Sequence, residues 1–78
     1  MNEQDIRAMT AEVLGRIAPE ADLSTVADDE DLREALDLDS MDFLNFVIGL
    51  SQRSGLKVPA GDAPKLHTLA SLVRYFSR

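Results

Sequence analysis

A serine between acidic residues, in the tetrapeptide Asp39-Ser40-Met41-Asp42, is the feature of the chain best suited to chemistry. It falls where an acidic stretch ends and a strongly apolar segment begins, which is where a helix is predicted to start. The first N–H groups of a helix lack partners and its dipole favours negative charge, so Ser40 could hold a phosphate ester. No histidine or lysine lies nearby in sequence to activate the hydroxyl. The pattern therefore favours modification of Ser40 over catalysis by it.

The helix that must position this serine is predicted to run from about Ser40 to Ser54. Asp39 is a good N-cap, Asp42 can complete a variant of the capping box, and Gly55 is a natural C-terminal stop. Its apolar residues surround most of the helix: Met41, Phe43, Leu44, Phe46, Val47, Ile48 and Leu50. Such a helix is either central in the fold or presents a second face to partners.

Two other stretches with helical apolar spacing predict an all-α fold around that helix. One covers residues 3–17 and is ended by Pro19, and the other follows Thr68 as N-cap. Its apolar stripe consists of Leu69, Leu72, Val73 and Phe76. No strand pattern or internal repeat is present in the sequence.

The connecting segments complete the expected fold. Residues 18–38 form a long first loop that needs apolar anchors, and residues 31–36 could form a helical turn within it. Residues 60–65, limited by Pro64, predict a short and mobile third helix. We expect a small four-helix bundle with three main helices, one short helix and a long first loop, in a single domain of residues 1–78.

Size and composition exclude several classes of function. A chain of 78 residues leaves little room for an enclosed active site. It has no cysteine and a single histidine, His67, for which an exposed position without a catalytic role is expected. The net charge of −6 argues against nucleic acid as a partner. No apolar run reaches membrane-spanning length and no secretory pattern opens the chain, so we expect a cytoplasmic protein without membrane insertion.

Charge is distributed unevenly along the chain. Residues 20–42 contain ten acidic residues and one base, Arg33, whereas residues 43–78 contain one acid and five bases. The acidic end could steer basic partners toward Ser40, or it could be a solvated loop without a partner. The acidic run 28–31 lacks the glycine of a calcium-binding loop, so no metal site is predicted.

Residues 32–42 and the apolar helix after them resemble acyl carrier proteins and related phosphopantetheine-binding domains, whose motif is Asp-Ser-Leu at a helix start. The resemblance covers essentially the whole chain. It implies that a phosphopantetheinyl transferase attaches 4'-phosphopantetheine from coenzyme A to Ser40, between Asp39 and Met41. It further implies a carrier without catalytic residues, which holds an acyl group as a thioester on that arm.

The resemblance also implies two surfaces. Acyl-transferring or acyl-activating enzymes with basic docking patches would contact Asp37, Asp42, Phe43, Leu44 and Ile48. The acyl chain would enter a cleft lined by Val47, Leu50, Val58, Ala63 and Leu66. The same apolar residues suit a core, and that role is expected when no cargo is bound.

The chain departs from the family pattern at several positions. Asp37 stands where many members have glycine, and Met41 replaces the usual leucine. Phe43 either belongs to a docking surface or packs against the long loop. The helix also has fewer acidic residues than typical fatty-acid carriers, because Asn45, Ser51, Gln52 and Arg53 stand where those have several glutamates.

Several functions remain open at this point. A carrier of this kind, expected to be a monomer, could serve fatty-acid synthesis or a specialised lipid or polyketide route, and the departures above favour a specialised one. It could instead carry aminoacyl or peptidyl groups. A different class is a helical interaction module that carries no cargo and uses the face of the helix after Asp39. A serine hydrolase is a third, disfavoured hypothesis, because the sequence has neither a base near Ser40 nor a nucleophile elbow.

Overall fold

The computed structural model describes residues 1–77, which are helical and contain no strand. The helices are α1 (Glu3–Ile17), α2 (Leu32–Ala35), α3 (Ser40–Ser54) and α4 (Leu69–Phe76), with a first 3-10 helix at Leu23–Thr25 and a second at Ala60–Leu66. Helices α1, α3, α4 and the second 3-10 helix have seven or more residues, which confirms the predicted all-α four-helix fold. No helix in the described part of the chain is both long and apolar enough to span a bilayer.

The ends of α3 follow the sequence closely. Asp39 caps its N-terminus and accepts a hydrogen bond from the backbone N–H of Asp42 at 2.7 Å. Gly55 ends it in the left-handed conformation, with φ of 73°, as the sequence predicts. Within residues 1–77, the α3 capping box is formed by the bond from Asp42 to Asp39 alone, whereas the Thr68 and Ser71 pair at the start of α4 forms both bonds.

The predicted short third helix is present and is a 3-10 helix. It spans Ala60–Leu66 and contains Pro64, which has no backbone N–H to donate. Short 3-10 segments tolerate such a residue better than an α-helix does, since they are not extended into a long hydrogen-bond ladder.

The core lies between α1, α3, α4 and the second 3-10 helix. Its largest fully buried apolar side chains are Phe46, Phe76, Ile6, Leu14, Leu32, Leu50, Leu66, Leu69 and Leu72. Each stabilises the fold by about 1.5–3 kcal/mol relative to an exposed position. Helix α3 contributes Phe46, Val47 and Leu50 to this core, while its other face carries the exposed apolar residues Met41, Leu44 and Ile48.

The long first connection is attached to the opposite end of the chain. The backbone N–H of Leu32 donates to the carbonyl of His67 at 2.7 Å, and that of Ala70 donates to the carbonyl of Asp28 at 3.0 Å. Val26 and Leu32 are buried, so they are the apolar anchors that the sequence requires. Helix α2 is thereby held beside the end of the second 3-10 helix.

Helices α1 and α3 approach closely at Gly49. A Cβ placed on Gly49 would lie 2.7 Å from Cγ1 of Val13, a branched side chain that is itself buried. We expect Gly49→Ala to lower the free energy of unfolding by about 1–3 kcal/mol, because the added methyl forces the helices apart. Urea denaturation measures this change.

Gly15→Ala is the matched control for Gly49→Ala. Gly15 is also helical, but a Cβ placed on it meets no atom within 4 Å. Alanine should therefore raise the free energy of unfolding by up to about 1 kcal/mol through helix propensity alone. Equal stability of Gly49→Ala and the wild type would show that the two helices do not pack as described.

Candidate functional site

A left-handed turn at Asp37 joins α2 to α3 and sets the position of Ser40. Helix α2 ends in a Schellman motif, in which the N–H of Leu38 donates to the carbonyl of Arg33 at 2.9 Å. The N–H of Asp37 donates to the carbonyl of Glu34 at 3.4 Å, and Asp37 has a φ of 55°. Glycine is the usual residue at such a position, and aspartate is among the few others that adopt it.

The turn at Asp37 leads to a test of backbone strain. We expect Asp37→Gly to raise the free energy of unfolding by up to about 1 kcal/mol, because glycine adopts positive φ without steric cost. Thermal or urea unfolding measures the change. Asp37→Asn, which tolerates the same turn and removes only the charge, should stay within about 0.5 kcal/mol of the wild type. If Asp37→Gly were less stable than Asp37→Asn, the claim that the backbone at position 37 is strained would be wrong.

Ser40 is the first residue of α3 and its side chain is exposed. Nη2 of Arg33 donates a hydrogen bond to Oγ of Ser40 at 3.3 Å. A guanidinium stays protonated and cannot accept a proton from the serine. The hydroxyl is therefore accessible from solvent, and its side-chain partner among residues 1–77 is a cation rather than a base.

Phe43 packs between the core and the long connection. Its ring centroid lies 6.0 Å from that of the buried Phe46, and the guanidinium carbon of Arg33 lies over the ring, 5.5 Å from its centroid. The side chain is half-buried. This geometry supports the packing interpretation of Phe43, while a docking role remains a prediction.

A groove of about 600 Å³ adjoins Ser40 between α3 and the second 3-10 helix. Its apolar lining consists of Phe43, Leu44, Val47, Ala60, Ala63 and Pro64, and its polar lining of Asp31, Arg33, Ser40 and His67. A mostly apolar groove beside an exposed hydroxyl can shelter an apolar chain that is tethered to that hydroxyl.

The predicted cleft residues are divided between this groove and the core. Val47 and Ala63 line the groove, and Val58 lines a neighbouring depression next to Leu44. Leu50 and Leu66 are fully buried and lie in the core instead of lining the groove. Val47 is also buried and lies where the core meets the groove, whereas Leu50 lies about one turn further along the same face of α3.

Arg33 and His67 are two of the five groove residues that were not predicted as site residues, the others being Asp31, Ala60 and Pro64. His67 is exposed, as predicted, and its Nδ1 hydrogen bonds with the carbonyl of Pro64. The backbone bond from Leu32 to His67 brings both residues to the groove. No local pattern reveals a contact between segments so distant in sequence.

The predicted docking residues lie on the accessible surface near Ser40. Asp37 and Asp39 are exposed and Asp42 is half-buried. An exposed apolar strip on α3, defined here as Met41, Leu44 and Ile48, has exposed fractions of 64%, 51% and 45%. Large apolar side chains exposed together on one helix are typical of a protein-binding surface.

The acidic run before α2 has structural partners. Asp28 forms an ion pair with Arg7 at 3.0 Å, and Glu30 accepts a backbone hydrogen bond from Ala27 at 2.8 Å. Asp31 caps α2. In the part of the chain that the structure describes, no group of three or more potential ligands is placed to hold a metal ion.

Comparisons with known proteins agree with this geometry. The family profile described as "Phosphopantetheine attachment site" matches residues 4–76. The acyl carrier protein of Rubrobacter xylanophilus is 32% identical over 72 residues, which cover 92% of this chain and 83% of that protein. The acyl carrier protein of Lactobacillus johnsonii is 35% identical over 54 residues, 69% of this chain and 68% of that protein.

A solved structure shares the fold. The acyl carrier protein from Enterococcus faecalis, described for its high thermal stability, superposes with a TM-score of 0.72 at 23% identity, covering 97% of this chain and 95% of that one. The profile and the two relatives show the family independently of this fold match. The chain belongs to the acyl carrier protein family, whose members are carriers rather than enzymes and hold 4'-phosphopantetheine.

Proposed function

We propose that the chain acts as one acyl carrier domain, residues 1–78, with its cofactor attached to Ser40. The single observation that supports this most directly is the exposed hydroxyl of Ser40 at the start of α3, beside an apolar groove. When bound, 4'-phosphopantetheine supplies a thiol that holds the acyl group as a thioester. The absence of cysteine from the chain fits this arrangement, since the cofactor provides the sulfur.

The residues around Ser40 suit the attachment of a phosphodiester. The N-terminus of α3 favours negative charge, and Arg33 adds a full positive charge next to Oγ. Asp39 accepts the hydrogen bond from the Asp42 N–H and keeps the first turn of α3 intact. The chain thus orients the hydroxyl and offsets the added charge.

The groove would shelter the acyl chain while partners are absent. Val47 and Ala63 line it already, and Val58 lies beside it. The core residues Leu50 and Leu66 would contact cargo only if α3 and the second 3-10 helix separated. We therefore assign the lid role to the second 3-10 helix.

One hydrogen bond restrains this lid. The hydroxyl of Tyr75 in α4 donates to Oδ2 of Asp62 at 2.7 Å. We expect Tyr75→Phe to speed amide exchange of residues 60–66 by about fivefold, because it removes a bond of about 1 kcal/mol. Exchange in α3 should not change, and mass spectrometry measures both segments.

A neighbouring substitution controls for the lid test. Arg74→Met changes an exposed residue next to Tyr75 in the same helix. It should leave exchange of residues 60–66 as in the wild type. Unchanged lid exchange in Tyr75→Phe would mean that this hydrogen bond does not restrain the segment.

The expected partners are a phosphopantetheinyl transferase and acyl-transferring or acyl-activating enzymes with basic docking patches. Asp37, Asp39 and Asp42 supply negative charge near Ser40, and the exposed apolar strip supplies apolar area. Charge of this kind steers association, whereas buried apolar area contributes most of the affinity. We place the protein in the cytoplasm as a monomer.

The pathway is proposed as fatty-acid, specialised lipid or polyketide biosynthesis. The few acidic residues along α3 and the aromatic pair Phe43 and Phe46 favour a specialised route over general fatty-acid synthesis. An aminoacyl or peptidyl carrier is the alternative within the same chemistry. The mass of the group attached to protein isolated from its native cell would distinguish these cargoes.

Incubation with coenzyme A and a transferase tests the attachment. Intact-mass analysis should show one added phosphopantetheine group. Trypsin cuts after Arg33 and Arg53, and the fragment between them contains two serines, Ser40 and Ser51. Fragmentation of that peptide should place the added mass on Ser40. Absence of any mass gain would refute the carrier function.

The exposed apolar strip also favours a second candidate, a helical interaction module that carries no cargo. In that case Ser40→Ala would have no effect on function in the native cell, whereas substitutions in the strip would abolish it. If the protein is a carrier, Ser40→Ala and the substitutions in the strip should both abolish its function.

A further inference from the structure

The acidic end of the chain contains a single arginine, and its side chain is directed to Ser40. Residues 20–42 hold ten acidic residues and Arg33 as their only base. Within residues 1–77, Arg33 forms no ion pair with a carboxylate. Its Nη2 donates to Oγ of Ser40 at 3.3 Å instead. The guanidinium therefore keeps its charge available for an anion at that oxygen.

Both ends of Arg33 are held in place. Its backbone carbonyl accepts the hydrogen bond from Leu38 that closes the Schellman motif of α2. Its guanidinium lies over the ring of Phe43, 5.5 Å from the centroid. A guanidinium stacked on an aromatic ring retains its hydrogen-bond donors at the edge, so Arg33 can bind an anion without leaving Phe43.

A phosphodiester on Ser40 would need such a cation. Its negative charge would be added close to Asp39 and Asp42 in the same turn, and to Asp37 just before it. Like charges at this spacing repel one another, and the dipole of α3 offsets only part of that repulsion. Among residues 1–77, Arg33 is the one side chain that brings a positive charge into hydrogen-bond contact with Oγ of Ser40.

We propose that Arg33 binds the phosphate group of the arm that is attached to Ser40. The inference rests on the proposed function. Attachment bonds phosphorus to Oγ, the atom that Arg33 already contacts. That phosphorus carries two unesterified oxygens, which share one negative charge. A guanidinium can form two parallel hydrogen bonds with such oxygens, and both partners are then charged, so this contact is stronger than the single bond to the neutral hydroxyl that it replaces. Arg33 and Ser40 both line the groove, so this contact holds the start of the arm on the groove side of α3.

The test uses two variants of similar length, Arg33→Met and Arg33→Lys, in the phosphopantetheine-loaded protein. In ³¹P NMR, Arg33→Met should shift and narrow the phosphodiester resonance, because the phosphate loses its bound cation and gains mobility. Arg33→Lys should move the resonance less, since a charge remains without the fork of donors. Arg74→Met, an exposed arginine on α4, should leave it unchanged.

A second measurement separates phosphate binding from packing on Phe43. The ¹⁵N resonances of the Arg33 guanidinium should shift when the wild-type protein is loaded. In Arg33→Met, added salt should raise the unfolding midpoint more with the arm than without it, because salt screens the repulsion between the phosphodiester and the neighbouring aspartates that Arg33 no longer offsets. Unchanged ³¹P and ¹⁵N spectra, with the added mass on Ser40, would overturn the role of Arg33 alone. Failure to load Ser40 at all would overturn the proposed function itself.

Discussion

Ser40→Ala is expected to abolish attachment of phosphopantetheine completely while leaving the fold intact. The Oγ atom is the proposed acceptor of the phosphate, and no other hydroxyl occupies this position at the start of α3. The substitution removes one exposed hydrogen bond to Arg33, at 3.3 Å, and adds a residue with high helix propensity. The free energy of unfolding should therefore change by less than about 0.5 kcal/mol. Intact mass after incubation with coenzyme A and a transferase, together with urea denaturation, measures both effects.

Ser51→Ala is the matched control for this prediction. Ser51 lies in the same helix and the same tryptic fragment, and its hydroxyl donates to the carbonyl of Leu56 at 2.9 Å. Loss of that bond should cost about 1 kcal/mol of stability and leave loading complete. Loading of Ser40→Ala, or failure of Ser51→Ala to load, would show that Ser40 is not the attachment site.

The parts of the site that depend on neighbouring residues could be predicted from the sequence. Asp39 as N-cap, Ser40 as first helical residue and Gly55 as stop each follow from the backbone needs of one helix end. Asp37 was identified as a departure from glycine through the resemblance to the family. That it adopts a positive φ becomes clear only once α2 is known to end in a Schellman motif.

The groove could not be derived in this way, because its lining depends on how α3 and the second 3-10 helix face each other. Val47 and Leu50 are both buried apolar residues three positions apart on α3, yet Val47 lines the groove and Leu50 does not. Ala60 and Ala63 line it together because the segment is a 3-10 helix, whose side chains repeat every three residues instead of every 3.6.

Arg33 illustrates a second limit of sequence interpretation. Its type and its isolation among acidic residues are visible in the sequence, but its partner is not. The contact with Ser40 arises because the turn at Asp37 reverses the chain between them. A tertiary contact set by one residue in an uncommon conformation has no periodic signal.

The double variant Leu44→Ala/Ile48→Ala is expected to lower the kcat/KM of the transferase by about 30-fold. Each side chain is about half exposed, so a partner that covers both would gain about 1 kcal/mol from each. Loss of about 2 kcal/mol corresponds to that factor, since each 1.4 kcal/mol is tenfold. Loading with coenzyme A places no acyl chain in the groove, so the groove contact of Leu44 does not affect the measurement. Initial rates at varied carrier concentration measure it.

Leu56→Ala provides the control, because Leu56 is exposed to a similar extent, 42%, but lies beyond the end of α3. It should load at the wild-type rate. Both variants should remain folded, since alanine preserves helix propensity and the removed atoms are largely in solvent. Equal loading of the double variant and Leu56→Ala would mean that the transferase recognises the acidic turn before Ser40 without the apolar strip. A 30-fold loss confined to the double variant would assign the strip to docking, because only contact with a partner makes these exposed side chains matter.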